Sequence, residues 1–85
     1  MMKQRKLRNR LLELIQERER KIRRRIKQHD LATFIGVADN TITNWIHNDV
    51  SSFDAKIVEG ICDYFDCEIE DLFYFEWVEV DDPNM

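Results

Sequence analysis

Apolar residues recur every three or four positions along most of the chain, which predicts a series of amphipathic helices. The stripe of the first helix, between about Lys3 and Arg20, is formed by Leu7, Leu11, Leu14 and Ile15. The overlapping segment ERERKIRRR, residues 17–25, contains no Gly or Pro and continues the helical spacing at Ile22 and Ile26. Helix propensity favours an extension of the helix through this segment. An irregular basic connection stays open as the alternative.

A second helix is predicted from Lys27 to Ile35. Its apolar face consists of Leu31, Phe34 and Ile35. Gly36 follows, and glycine suits the left-handed conformation that ends many helices. After a short turn, a third helix is predicted over residues 39–48. Its apolar side consists of Ile42, Trp45 and Ile46. Its opposite side is polar and consists of Asp39, Asn40, Thr43, Asn44 and His47. The apolar side docks such a helix on a core, and the polar side is free to contact a partner.

A fourth helix is predicted from Asp54 to about Phe65, and the spacing of Ser51 and Asp54 suggests a capping box at its start. Its inward residues are Ile57, Val58, Ile61 and Phe65. A short fifth helix is predicted within residues 68–75, EIEDLFYF. Its inward residues are Ile69, Leu72 and Phe73.

Residues 73–80, FYFEWVEV, are aromatic and β-branched with rough alternation, which predicts a β-strand. A single strand is not stable alone, so it must pair or pack with something. It can pair with a second copy of the chain or pack on its own helices, and the sequence leaves both open. In either arrangement Trp77 is expected to be an anchor. The last residues, 81–85, are expected to form a tail.

Charge is divided unequally along the chain, whose formal net charge is −4. Residues 1–30 hold 12 of the 13 Lys and Arg residues and four of the 17 Asp and Glu residues, whereas Lys56 is the one base in residues 31–85. This division predicts contact between nucleic acid and the basic half, or charge pairing between the two halves or between copies. With 85 residues there is room for one small domain, for which dimerisation is a reasonable expectation.

The residue types that commonly bind metals or take part in catalysis show no recognisable pattern in this chain. Its His and Cys residues, which fit no usual zinc spacing, are His29, His47, Cys62 and Cys67. No pair of nucleophile and base and no glycine-rich phosphate loop stands out, so we expect neither an enzyme nor a cofactor. No apolar run approaches the roughly 20 residues that span a bilayer. We therefore expect a cytoplasmic, nucleoid-associated protein of a bacterium or phage without a membrane partner.

Three segments resemble the phage repressor/Cro (xenobiotic-response-element type) helix-turn-helix family, in its small cysteine-containing branch. They are DLATFIGV at 30–37, TITNWIHN at 41–48 and IVEGICDYFDCEIEDLF at 57–73. The family's characteristic positions are occupied by Gln28, Leu31, Ala32, Gly36, Val37, Ile42, Asp71 and Leu72. The chain departs from the family at Ala38 and Lys27, where the family has Ser or Thr caps, and at Asn48, where it has Gly.

The resemblance implies an all-α fold, a five-helix lambda-repressor-like domain over residues 1–74, with a C-terminal strand and tail over 75–85. It also implies double-stranded DNA as the partner. The side chains expected to face bases are Asp39, Asn40, Thr41, Thr43 and Asn44. Asn side chains can bond an adenine edge with two hydrogen bonds, and a Thr methyl can contact thymine. For Asp39, stabilisation of the helix N-terminus is an alternative role.

Phosphate contacts are expected from the segment around residues 18–27, which contains seven Lys and Arg residues against one acid, Glu19. The residues expected to contact phosphates are Arg10, Arg23, Arg24, Arg25, Lys27, Gln28, His47 and Asn48. Gln28 has this role by its match to the family. Pairing of these cations with acids on the same helix is the alternative. The residues expected to form a dimer contact are Phe75, Trp77 and Val78.

These features predict a transcriptional repressor that binds an inverted-repeat operator as a homodimer. The alternative is a protein-interaction module, such as an antitoxin or a phage accessory factor, that uses its acidic C-terminal half.

Overall fold

The computed structural model describes residues 2–80, which form five helices and two strands. In chain order these elements are β1 Met2–Asn9, α1 Leu11–Ile22, α2 Gln28–Ile35, α3 Asp39–Ile46, α4 Ala55–Phe65, α5 Ile69–Leu72 and β2 Phe73–Val80. The predicted tail, residues 81–85, lies outside the described range. No helix in the described part of the chain has both the length and the apolar character needed to cross a membrane.

The largest difference from the prediction lies at the N-terminus, where residues 2–9 form a strand and not the start of the first helix. They pair antiparallel with β2 along its whole length, with Leu7 opposite Phe75 and Asn9 opposite Phe73. The strand predicted at 73–80 needs a partner for its backbone groups. The N-terminal segment supplies it, and the predicted all-α fold is therefore only approximate. We refer to β1 and β2 together as the ribbon.

The core is formed by residues from all five helices. Its buried members are Leu11, Ile15, Leu31, Ala32, Ile35, Ile42, Trp45, Ile61, Phe65 and Leu72. Gly60 allows α4 to approach α2 closely, because a Cβ at this position would lie 2.9 Å from the side chain of Ile35. The helical periodicity therefore identified most of the core.

Leu7, Phe34 and Ile69 were predicted to face inward and are exposed, and each has a local reason. Leu7 lies on β1 and is 38% exposed. Ile69 is 63% exposed, because a four-residue helix such as α5 turns only part of its surface inward, and Leu72 occupies that part. Phe34 is 58% exposed and rests against the ring of Tyr64, with centroids 5.1 Å apart.

Helix ends follow the sequence in some places and depart from it in others. α2 ends at Gly36 with a φ of 88°, as predicted. α4 begins after Asp54, whose side chain accepts a hydrogen bond from the backbone of Lys56 at 2.9 Å. Asp54 is itself the cap, so the capping box predicted from Ser51 is wrong. α3 begins after Ala38 without a side-chain cap, as expected from the departure at this position.

The described residues span 50 × 24 × 20 Å and have a radius of gyration of 15.0 Å. A compact chain of this length has a radius of gyration of about 12 Å. The elongation arises because the ribbon joins the helices mainly at one end. There the ring of Phe73 lies 6.0 Å from that of Trp45 and 5.2 Å from that of Phe53.

Candidate nucleic-acid interface

The apolar side of α3 holds this helix firmly on the core. Ile42 and Trp45 are almost completely buried, as the sequence predicts. The indole of Trp45 meets Phe53 edge to face, with ring centroids 5.4 Å apart. Because the inward face is fixed in this way, the orientation of the polar side is fixed as well.

Two side-chain contacts join α3 to the start of α2. The hydroxyl of Thr43 donates to Oε1 of Gln28 at 2.9 Å. Nδ1 of His29 lies 3.0 Å from a carboxylate oxygen of Asp39. The first turn of α2 and the first half of α3 therefore form one polar surface. The sequence gives no direct sign of either contact, because the partners are 15 and 10 residues apart.

These contacts divide the predicted base-facing residues into two groups. Asp39 and Thr43 are engaged with α2. Asn40 and Asn44 lie one turn apart on the same side of α3, and neither side chain is hydrogen-bonded to another residue within 2–80. Thr41 is half-buried and lines a cleft with Asn44 and the segment between α3 and α4. The two asparagines therefore offer amide donors and acceptors to a ligand.

Residues 23–27, which we call the basic loop, connect α1 to α2. α1 ends at Ile22, and Arg23 takes a left-handed conformation with a φ of 54°. The carboxylate of Glu19 accepts a hydrogen bond from the backbone of Ile26 at 2.9 Å. Residues 17–25 therefore combine the two predicted alternatives. They are helical up to residue 22 and form an irregular connection after it.

Glu19, the one acid in residues 18–27, is thus bonded to backbone. No ion pair among residues 2–80 involves Arg23, Arg24, Arg25 or Lys27, and all four are exposed. Pairing with acids of the same helix, the alternative considered above, does not occur for them in the described residues. Arg18 differs, because its guanidinium donates to the carbonyl of Phe65 at 3.1 Å. The basic loop thus presents unneutralised charge directly before the start of α2.

Other residues predicted to contact phosphates already form contacts with residues of the protein. The guanidinium of Arg10 lies 4.3 Å from the ring centroid of Tyr74 and 3.6 Å from the carboxylate of Glu13. Both atoms of the Asn48 amide are bonded to Asn9: Oδ1 accepts from its backbone N–H at 2.7 Å, and Nδ2 donates to its carbonyl at 3.2 Å. A phosphate contact from the Asn48 amide would have to break these bonds. His47 is exposed at the end of α3.

Asn9 has a structural role that the apolar pattern does not predict. Its side chain is buried, donates to the carbonyl of Trp45 at 2.9 Å and accepts from the backbone of Leu11 at 2.9 Å. It therefore ties the end of β1 and the start of α1 to the end of α3. A local signal existed, because an Asn two residues before a helix often bonds the backbone in this way.

The predicted dimer residues are placed on two faces of the ribbon. Phe75 and Trp77 share one face and are 60% and 61% exposed. Val78 points to the other face, because successive side chains of a strand alternate. Across the ribbon, the guanidinium of Arg5 lies 5.2 Å from the ring centroid of Trp77. Trp77 is thus not anchored in the described part of the chain, contrary to the expectation for a strand that packs on its own helices.

The cysteines and histidines do not form a cluster. Within residues 2–80 no group of three or more His, Cys, Asp or Glu side chains is placed to hold a metal ion. Cys62 and Cys67 are free thiols that lie close to one another at the end of α4. Burial, with a further contribution from Cys62, raises the pKa of the Cys67 thiol from 9.0 to about 11.

A comparison with known protein families matches residues 10–77 to the Cro/C1-type HTH DNA-binding domain. No significant match was found among curated proteins or among solved structures. The matched residues include all five helices and the first half of β2. The turn at Gly36, the docked α3 and its open polar side are the features expected of such a domain. The chain belongs to the Cro/C1-type helix-turn-helix DNA-binding family.

Proposed function

We propose that the protein is a transcriptional repressor that binds an inverted-repeat operator as a homodimer. The observation that carries this proposal is the arrangement of α3. One side of this helix is locked on the core by Ile42 and Trp45, while Asn40 and Asn44 lie on the other side, and their side chains form no hydrogen bond to another residue within 2–80. A helix held in this way can enter the major groove and discriminate bases through side-chain amides.

In this proposal one segment discriminates between DNA sequences, and another supplies affinity for the DNA backbone. α3 carries no Lys or Arg, so in this proposal it contributes discrimination. The basic loop contributes affinity through phosphate contacts at Arg23, Arg24, Arg25 and Lys27, because release of counterions from DNA favours binding by unpaired cations. Gln28 contributes a further phosphate contact. Its carbonyl is bonded to Thr43 at 2.9 Å, and its amide N–H groups are left for an anion at the start of α2.

Asp39 is unfavourable for DNA binding on its own, because a carboxylate on α3 repels the DNA backbone. His29 lies 3.0 Å from it and, when protonated, compensates this charge. In the proposal Asp39 stabilises the start of α3, whose cap residue, Ala38, has no side chain to bond the helix. Base contacts are then made mainly by Asn40 and Asn44, with Thr41 and Thr43 beside them.

Residues 1–74 form the DNA-binding domain in this proposal, and residues 75–85 belong to the dimerisation segment. Repression follows if the bound dimer occludes a promoter. Two α3 helices related by a two-fold axis occupy half-sites about one helical turn, or about 34 Å, apart.

Selection from a random double-stranded DNA library, followed by a mobility-shift assay, tests this proposal. The expected result is enrichment of an inverted repeat with half-sites one helical turn apart and retardation that weakens steeply with salt. If the protein retards no DNA even at low salt, DNA binding is excluded. Such a result would favour a protein-interaction module that uses the acidic half.

A further inference from the structure

Cys62 and Cys67, the two cysteines of the chain, lie on either side of the turn that ends α4. Asp66 takes a left-handed conformation in this turn, with a φ of 50°. The backbone N–H of Cys67 donates to the carbonyl of Cys62 at 3.0 Å. A hydrogen bond of this span after a left-handed residue is typical of the Schellman motif, in which the side chains of the two bonded residues commonly contact each other. The backbone therefore turns the two thiols toward one another.

The same hydrogen bond limits the distance between the two cysteines. The path from one Cα to the other runs through the carbonyl, the 3.0 Å hydrogen bond and the amide nitrogen. Standard bond lengths along this path allow at most about 7 Å, and the bends at the carbonyl and at the nitrogen shorten it further. A disulfide joins cysteines whose Cα atoms lie about 4.4–6.8 Å apart. The pair is therefore within reach of a disulfide while α4 keeps its last turn.

The two thiols are half-buried in an acidic environment. Both are free, and both side chains pack against the core. Burial raises the pKa of the Cys67 thiol, and Cys62 and the carboxylates of Asp71 and Glu68 raise it further. The contribution of Cys62 agrees with the contact that the turn imposes. Because the thiolate is the reactive form, Cys67 reacts slowly at neutral pH unless a reagent is concentrated beside it.

A cleft of about 460 Å³ between α1 and α5 leads to Cys67. Its charged lining residues are Arg10, Glu13, Glu17, Glu70 and Asp71. Four carboxylates thus face one guanidinium, which already lies 3.6 Å from the carboxylate of Glu13. A cleft lined mainly by one sign of charge concentrates ions of the opposite sign. Small cationic reagents therefore gather beside Cys67, and anionic reagents are repelled.

We propose that Cys62 and Cys67 are a dithiol modification site that small cationic disulfides oxidise to an intrachain disulfide. The thiolate of Cys67 attacks one sulfur of the reagent, which forms a mixed disulfide and expels one half of the reagent as a thiolate. Cys62 then attacks the sulfur of Cys67, closes the protein disulfide and expels the other half. The protein loses two protons and two electrons, and the reagent gains them and becomes two thiols.

The disulfide would join the end of α4 to the residue just before α5. It closes a short loop, residues 62–67, and so restricts the unfolded chain. Leu72 at the end of α5 accepts a hydrogen bond from the backbone N–H of Arg10 at 2.7 Å, next to the point where the ribbon begins. Oxidation is therefore expected to stabilise this junction. The inference does not depend on the proposed function, because neither cysteine lies on α3 or in the basic loop.

The first test treats the full chain with cystamine, a small cationic disulfide, and then alkylates the remaining thiols with N-ethylmaleimide. Mass spectrometry of the natural chain should show that both thiols are lost and that neither reagent is attached. Cys62→Ser should instead retain one half of cystamine on Cys67, because no second thiol displaces it. Stable adducts on both cysteines of the natural chain, or disulfide-linked dimers, would overturn the inference.

The contribution of the fold is tested by the same reaction in urea. Closure of the mixed disulfide should be about tenfold or more faster in the folded chain than in the unfolded chain, because the turn raises the effective concentration of one thiol at the other. Equal closure rates would show that the fold does not bring the two thiols together.

The charge of the reagent is tested by comparing cystamine with oxidised glutathione, which is anionic. The ratio of their reaction rates with the natural chain should exceed the ratio for free cysteine by about tenfold or more. The double substitution Glu17→Gln/Glu70→Gln, within the cleft, should lower this preference by about twofold or more, as should added salt. Glu59→Gln/Glu79→Gln, outside the cleft, changes net charge equally and should leave it unchanged. Equal effects of the two double substitutions would contradict the role of the cleft.

The last measurement is the urea concentration at which half of the chain is unfolded. It should rise when the natural chain is oxidised, because the closed loop restricts the unfolded state. The same treatment should not raise it in Cys62→Ser, in which no bridge can form. A lower value for the oxidised natural chain would show that the bridge distorts the turn, and would contradict the inference that the fold places the two thiols for a disulfide.

Discussion

Trp45 and Trp77 are the two tryptophans of the chain, and they lie in opposite environments. Trp45 on α3 is 2% exposed, whereas Trp77 on β2 is 61% exposed. Each belongs to an eight-residue element, so the difference arises from what packs on the element. The apolar side of α3 packs on the other helices, whereas the ribbon is paired chiefly with itself. The comparison separates a surface that the chain covers by its own folding from one that stays exposed in the described residues.

The largest expected effect is the loss of stability when Trp45 is truncated. Trp45→Ala removes a side chain packed against Phe53 and Phe73, and should lower the free energy of unfolding by about 3–5 kcal/mol. Trp77→Ala, measured by urea unfolding at a concentration where the chain is monomeric, should lower it by less than about 1 kcal/mol. Similar losses for the two variants would show that the ribbon is already covered within one chain.

The junction between the two regions should be the next most sensitive point. Asn9→Ala leaves the carbonyl of Trp45 and the backbone N–H of Leu11 without their partner, which should cost about 1–3 kcal/mol. Amide hydrogen exchange along β1 should accelerate, because the root of the ribbon is loosened. Gln4→Ala, on the exposed part of β1, is the matched control. If Asn9→Ala unfolds at the same urea concentration as this control, the junction does not stabilise the fold.

A further prediction is that residues of the basic loop contact DNA phosphates. The double substitution Arg24→Ala/Arg25→Ala should reduce the slope of log K against log salt by up to about two units, because each lost phosphate contact removes about one. Lys6→Ala, which removes a cation on β1 outside the basic loop, should leave the slope unchanged. The measurement is DNA affinity by fluorescence anisotropy over a range of salt concentrations. If the salt slope falls with Lys6→Ala and not with the double substitution in the basic loop, the ribbon and not the basic loop contacts phosphates.

The smallest expected effect concerns pH. The Cys67 thiol has a pKa of about 11 in the folded chain, raised from 9.0 mainly by burial, so the unfolded chain releases this proton first. The resulting stability is complete below pH 9 and is lost as pH rises toward 11. Cys67→Ala should therefore show a shallower fall in stability between these values than the natural chain. Parallel pH profiles for the two proteins would contradict this account of the thiol.

The sequence predicted the helical part of the molecule well because its signals are local. The apolar spacing of α2, α3 and α4 placed their buried faces, and Gly36 marked the end of α2. The strand at 73–80 was also recognised from its alternating aromatic and β-branched residues. The residues that specify each of these elements lie close together in the sequence, within one or two helical turns or a few strand residues.

The N-terminal strand and the polar contacts of α3 were not predictable in the same way. Residues 2–9 are mostly charged or polar, and Leu7 happens to continue the helical spacing of α1. Their conformation is set by β2, more than 60 residues away in the sequence. The contacts of His29 with Asp39 and of Asn9 with Asn48 likewise depend on how helices dock. Hydrophobic periodicity contains no information about such pairs.

The most direct test of the division between discrimination and affinity is the affinity of Asn44→Ala for the selected operator and for a scrambled duplex at one salt concentration. The predicted result is a loss of about 1–3 kcal/mol on the operator, because the amide contacts to a base are removed. Affinity for the scrambled duplex should be unchanged, since the basic loop is intact. An equal loss on both duplexes, or no loss on either, would contradict the assignment of base reading to α3.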